Sequence, residues 1–216
     1  MARVNKDGTI SGRAGNVVYF TRGGVTYMKE YKKPHDPKRP MQLIQRAKVS
    51  AASAFLAGFR KILDTGYQGS ETHKTGYMEA LNYTVKNAMQ DVTPEGSVKP
   101  VFEVAPEKLV VARGLITAPQ IDVCQRIGDE INLNWDPKIS GLINRHYDSL
   151  VLVMWQPGES AYADFVVGRR DQGAGRAKVD SKFDGPVHLW AFYVNQQKNQ
   201  IKSKENVSDS VYLGEF

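Results

Sequence analysis

Six short apolar runs, at 131–135, 150–155, 162–167, 177–179, 187–194 and 210–213, recur through the last part of this 216-residue chain. Turn material stands between them, as in Asp136-Pro137, Gln156-Pro157-Gly158 and Asp184-Gly185-Pro186. β-Branched and aromatic residues suit a pleated, half-buried surface, and Pro and Gly interrupt it. Strands this short and this regularly punctuated close most readily as two packed antiparallel sheets. The expectation is an immunoglobulin-like or fibronectin-type-III-like sandwich over 120–216. Trp135, Trp155 and Trp190 fall in separate strands, where large rings on facing sheets fill such an interior.

The first part of the chain follows another pattern. Gly12 and Gly15 precede a run of strand formers at 17–20, and Gly23-Gly24 separates that run from Val25-Thr26-Tyr27-Met28. Two glycines between two such runs predict a β-hairpin, because the favoured two-residue turn needs positive φ at both positions. Bulky groups stand on both of its faces. A hairpin is marginal alone, so this one is expected to pack on the body of the protein or on another subunit. The segment YKKPHDPKRP, 31–40, reads as a stiff extended connector, with His35 exposed and Pro40 opening a helix.

Apolar residues at helical spacing predict a long amphipathic helix over 41–63, slim on one side where Ala and Ser cluster. A second helix is expected over 77–92 after a polar loop. The two pack antiparallel on each other and on the hairpin in the simplest arrangement. Short extended segments at 100–119 fit either pairing with the hairpin or the start of the next domain. The fold class is then α+β: an N-terminal β-hairpin and a two-helix region followed by an all-β immunoglobulin-like sandwich, divided as 1–40, 41–119 and 120–216.

Apolar residues make up 41% of the chain, enough to bury a core without help from metal or disulfide. The single cysteine, Cys124, excludes an intrachain disulfide and is expected to be a buried, inert thiol. The opening MARVNKDG lacks the apolar core of a signal peptide, and 150–155 is too short to cross a bilayer, so a soluble intracellular protein with no membrane partner is expected. The net charge of +6 is polarised: 13 basic residues against three acids lie before residue 62. That suits a nucleic-acid backbone or an acidic neighbouring subunit, against the plain alternative of a solvated basic face.

Chemistry is harder to find. His35, His73, His146 and His188 are scattered, and neither a nucleophile elbow nor a phosphate loop is present, so no catalytic residue, cofactor or metal is expected. Asp171 to Gly175, DQGAG, reads as a mobile hairpin tip rather than a phosphate loop. Arg169, Arg170, Arg176 and Lys178 around it would form a basic tip.

The patterns SGRAGNVVYFTRGGVTYMKEY and QLIQRAK, with the C-terminal SDSVYLG at 208–214, together resemble a family of unknown function from Bacteroidota and their phages. The resemblance covers essentially the whole chain, implies the hairpin, helical pair and sandwich, and carries no catalytic residues. It implies a non-enzymatic virion component of a tailed phage: a homo-oligomer in a portal-proximal or tail ring, or a capsid-associated protein, present in host cytoplasm during assembly. Its partners would be copies of itself and other virion proteins. The alternative is a nucleic-acid-binding accessory protein contacting DNA through the basic N-terminal region. Either way the contact residues expected are Tyr19, Phe20, Tyr27 and Tyr31 for stacking or packing, with Lys32, Lys33, Lys38, Arg39, Arg46 and Lys48 for charge.

Overall fold

Gly23 and Gly24 close the expected hairpin with φ of 58° and 79°, a conformation that costs a glycine almost nothing. In this computed structural model, residues 2–33, 39–68, 75–138, 141, 143–159, 162–195 and 203–216 are described. They form two compact units, Met1–Arg39 and Pro40–Phe216. The first is larger than a hairpin. Strands β1 (Arg3–Val4), β2 (Ile10–Ala14), β3 (Val17–Arg22) and β4 (Val25–Glu30) pair antiparallel in that order, so β4 is an edge strand.

In the second unit, α1 (Pro40–Leu56) and α2 (Arg60–Gly66) replace the one long helix expected. The break falls around Gly58, where the helix-disfavouring glycine meets a change of direction that buries Phe59. Helix α3 (Gly76–Asn87) begins at Thr75, whose hydroxyl caps the amide of Met78. It stops earlier than expected, because β5 (Met89–Asp91) pairs with β6 (Phe102–Val104). The extended segment at 100–119 thus pairs within its own unit. Beyond β6 it runs to Gly114, where an added Cβ would collide with the carbonyl of Val207.

The sandwich comprises β7 (Ile121–Ile127), β8 (Glu130–Trp135), β9 (Ser149–Trp155), β10 (Ala163–Arg169), β11 (Ala174–Lys178), β12 (His188–Val194) and β13 (Val211–Glu215). One sheet has the order β11-β8-β7 and the other β10-β9-β12-β13, all antiparallel. Leu150, Leu152 and Met154 of β9 and Leu189, Ala191 and Tyr193 of β12 face the first sheet, meeting Ile131, Leu133 and Trp135. Alternate residues, Val151 and Val153 with Trp190 and Phe192, form a second core with Leu56, Phe59, Ile62 and Leu63 of the helical segment. The helices therefore lie on the outer face of the four-stranded sheet, and a shared core crosses the expected boundary at 119/120.

This placement corrects the reading of the tryptophans. Trp135 alone fills the sandwich, between Gly168 and Gly175, where an added Cβ would crowd its ring. Trp155 and Trp190 lie under the helices, with Phe55 and Trp155 rings 4.9 Å apart and Phe59 and Trp190 rings 6.3 Å apart. The basic tip is corrected too. Arg170 opens a 3-10 turn, Arg170–Gln172, and is 2% exposed, so it is a core residue rather than a surface charge. Cys124 is half-buried on β7, and burial pushes its thiol up to about 11.

Candidate functional site

Pairing in the first unit sorts its side chains by chemistry. Phe20 lies opposite Tyr27, Val18 opposite Lys29, Arg22 opposite Val25, and Arg13 opposite Val18. Directly opposed residues share a face of the sheet, and neighbours along a strand point to opposite faces. Arg13, Arg22 and Lys29 therefore stand on one face with Phe20 and Tyr27. Ala14, Val17, Tyr19 and Met28 stand on the other, where Glu30 is the only charged residue contributed between Arg13 and Glu30.

The basic face has defined geometry. The Phe20 and Tyr27 rings stack with centroids 5.6 Å apart and planes 21° from parallel, and the two residues are 40% and 47% exposed. Lys29 Nζ lies 5.5 Å from the centroid of Phe20. Beside them the Arg13 guanidinium sits 3.6 Å over the ring of Tyr31, while its Nε donates to the carbonyl of Gly15 at 2.8 Å. Stacking and cation–π contacts hold both rings and cations in place at the surface. On the apolar face Met28 is 73% exposed. Among the described residues of 2–33 none is buried.

The expected contact residues separate accordingly. Phe20, Tyr27 and Tyr31 come together on the basic face, whereas Tyr19 is half-buried on the opposite one. Lys32 and Lys33 are exposed just past β4, and Arg39 is exposed before α1. Lys38 and His35 lie outside the described residues. Arg46 and Lys48 belong to the second unit: Arg46 lines a shallow cavity of about 510 Å³ along α1 with Val49 and Ser53, and Lys48 Nζ sits 5.0 Å from the ring of Phe102. Arg13, Arg22 and Lys29 were not among the residues expected, although strand parity across the Gly23-Gly24 turn is a signal that places the last two with Phe20 and Tyr27.

A second cavity of about 600 Å³ lies in the second unit, lined by Tyr67, Glu79, Lys86, Arg113, Lys204 and Asp209 among others. Its walls mix both signs of charge, and Tyr67 is committed to the carbonyl of Val110 at 2.8 Å. Among the described residues no three of His, Cys, Asp and Glu gather as metal ligands, and no helix is long and apolar enough to cross a membrane.

Residues 9–214 match the model of a family of unknown function, DUF6266. The chain belongs to the DUF6266 family. No curated protein matches it. The DUF6266 match spans β2, β3 and β4 as well as the helices and sandwich, so the two-faced sheet and the second unit fall within one family model.

Proposed function

We propose that this DUF6266 protein is a non-enzymatic assembly component that docks on neighbouring subunits through the sheet of its first unit. The observation that carries the reading is the lack of any buried residue among those described in 2–33. Units below about 40 residues rarely hold a fold without disulfides, metals or oligomerisation, and the only cysteine of the chain, Cys124, lies in the other unit. Tyr19, Val17 and Met28 supply a largely apolar face for a protein neighbour, with Glu30 at its end. Strand β4, six residues long and exposed throughout, adds an open edge of backbone donors and acceptors. In a ring, such a surface meets a different surface of the next copy.

The setting proposed is the virion of a tailed phage of Bacteroidota, as a ring or capsid-associated protein built from several copies. What supports this finer reading is the resemblance carried by the N-terminal pattern and the C-terminal SDSVYLG segment.

The test is the mass of the full chain in solution, compared with Tyr19→Asp/Met28→Asp and with a chain lacking 1–39. Assemblies of several copies are expected for the full chain. Both altered chains should be monomers with the heat unfolding of 40–216 retained. A monomeric full chain at high concentration, or altered chains that assemble as before, defeats the proposal.

A further inference from the structure

The same sheet has a second face that assembly through Tyr19 and Met28 leaves unused. We infer that the face bearing Arg13, Phe20, Arg22, Tyr27 and Lys29 binds single-stranded nucleic acid, stacking bases on the two rings and pairing phosphates with the three cations. This uses the opposite side of the strands and rests on the assembly reading only in that neighbouring subunits hold the sheet folded.

Charge is the first ground. Residues 1–39 hold nine basic residues against three acids, a net +6, while residues 40–216 hold 20 of each. The whole net charge of the protein therefore belongs to the first unit. Within the paired strands it is also one-sided: Arg13, Arg22 and Lys29 share a face that carries no acid between Arg13 and Glu30. A polyanion is the complement of such a surface, and a second copy of the same face would be repelled.

The rings decide which polyanion. Phe20 and Tyr27 expose a stacked pair among the cations, and Tyr31 continues the row under Arg13. Aromatic side chains on an open sheet take unpaired bases by stacking, with little dependence on sequence, while flanking cations track the phosphates. A duplex keeps its bases inside and would leave the rings idle. An acidic peptide would use the charges and gain nothing from flat rings.

The experiment follows fluorescence anisotropy of the full chain with labelled deoxythymidine and uridine oligomers of about ten nucleotides, short enough to hold roughly one protomer. A duplex of the same length and polyglutamate serve as competitors. Single strands should bind at low salt and resist both competitors. Phe20→Leu/Tyr27→Leu keeps apolar bulk in the strands and should weaken binding by about tenfold or more. Arg13→Gln/Arg22→Gln/Lys29→Gln should lower the slope of log affinity against log salt by about 2, since each phosphate left without its cation takes away roughly 0.7. Phe20→Leu/Tyr27→Leu should assemble as the unaltered protein does, because both residues stand on the face opposite Tyr19 and Met28, so loss of nucleic-acid binding is read separately from loss of assembly. The inference is overturned if neither oligomer binds at about 50 mM salt, if polyglutamate or duplex competes as well as single strand, or if the leucine variant binds undiminished.

Discussion

Arg170 and Asp148 are 2% and 0% exposed, and the guanidinium lies over the Tyr193 ring at 3.7 Å. Its Nε is 3.5 Å from Asp148 Oδ2, which also accepts the amide of Arg145 at 2.8 Å. Burial pushes the Asp148 carboxyl up, and the two arginines oppose that shift. Removing one partner strands a charge in the core. Arg170→Ala should therefore cost about 3–5 kcal/mol in urea unfolding, and Arg170→Met/Asp148→Leu should recover most of it. Nothing local in the sequence signals this pair, because an Arg-Arg doublet beside Asp and Gly reads as surface and its partner lies 22 positions upstream. Gly175 is opaque in sequence for a similar reason. Its small size serves the close approach of the Trp135 ring and the Val167 carbonyl, which is a packing fact visible only once β8, β10 and β11 are in place.

Strands β9 and β12 are the elements around which the second unit is built, since both of their faces are buried. Fully burying one of their large side chains stabilises the fold by about 1.5–3 kcal/mol. Their existence was legible as unbroken apolar runs, the pattern of a sheet covered on both sides. Which face met the helices was not, because a continuous run has no parity to read. Strand β7 escaped for the opposite reason: its edge position leaves Asp122, Gln125 and Arg126 among the apolar residues and hides the alternation. His188 at the start of β12 stacks on Trp155, with ring centroids 5.6 Å apart, and its Nδ1 is 2.8 Å from the Tyr212 hydroxyl of β13. Burial holds its pKa below the ordinary value, against the pull of Glu215 and Glu107. The folded protein thus takes up this proton less readily than the unfolded chain does. The stability His188 contributes is present above about pH 6.5 and is lost as pH falls through the lower folded value. Melting temperatures from pH 8 to 5 should fall more for the unaltered protein than for His188→Gln; parallel curves would show no such contribution.

At the scale of the molecule, the helices and the sandwich share a core while the basic charge stays in the first unit. A fragment of residues 120–216 would expose Val151, Val153, Trp190 and Phe192, which the helices cover. It should aggregate or bind hydrophobic dyes, whereas 40–216 should stay soluble and unfold in one transition; light scattering and calorimetry distinguish the two. Charge polarisation and the hairpin were both legible in the sequence, and Phe20, Tyr27 and Tyr31 were named from it. The division of the sheet into a basic and an apolar side needed the strand pairing. That division hangs on the length of one turn. With two glycines between β3 and β4, Tyr27 answers Phe20 and Lys29 answers Val18. A single residue inserted ahead of β4 would invert its alternation relative to β3, carrying Tyr27 and Lys29 across beside Tyr19. Every side chain would survive such an insertion, yet a surface suited to an anion and one suited to a subunit would both be scrambled.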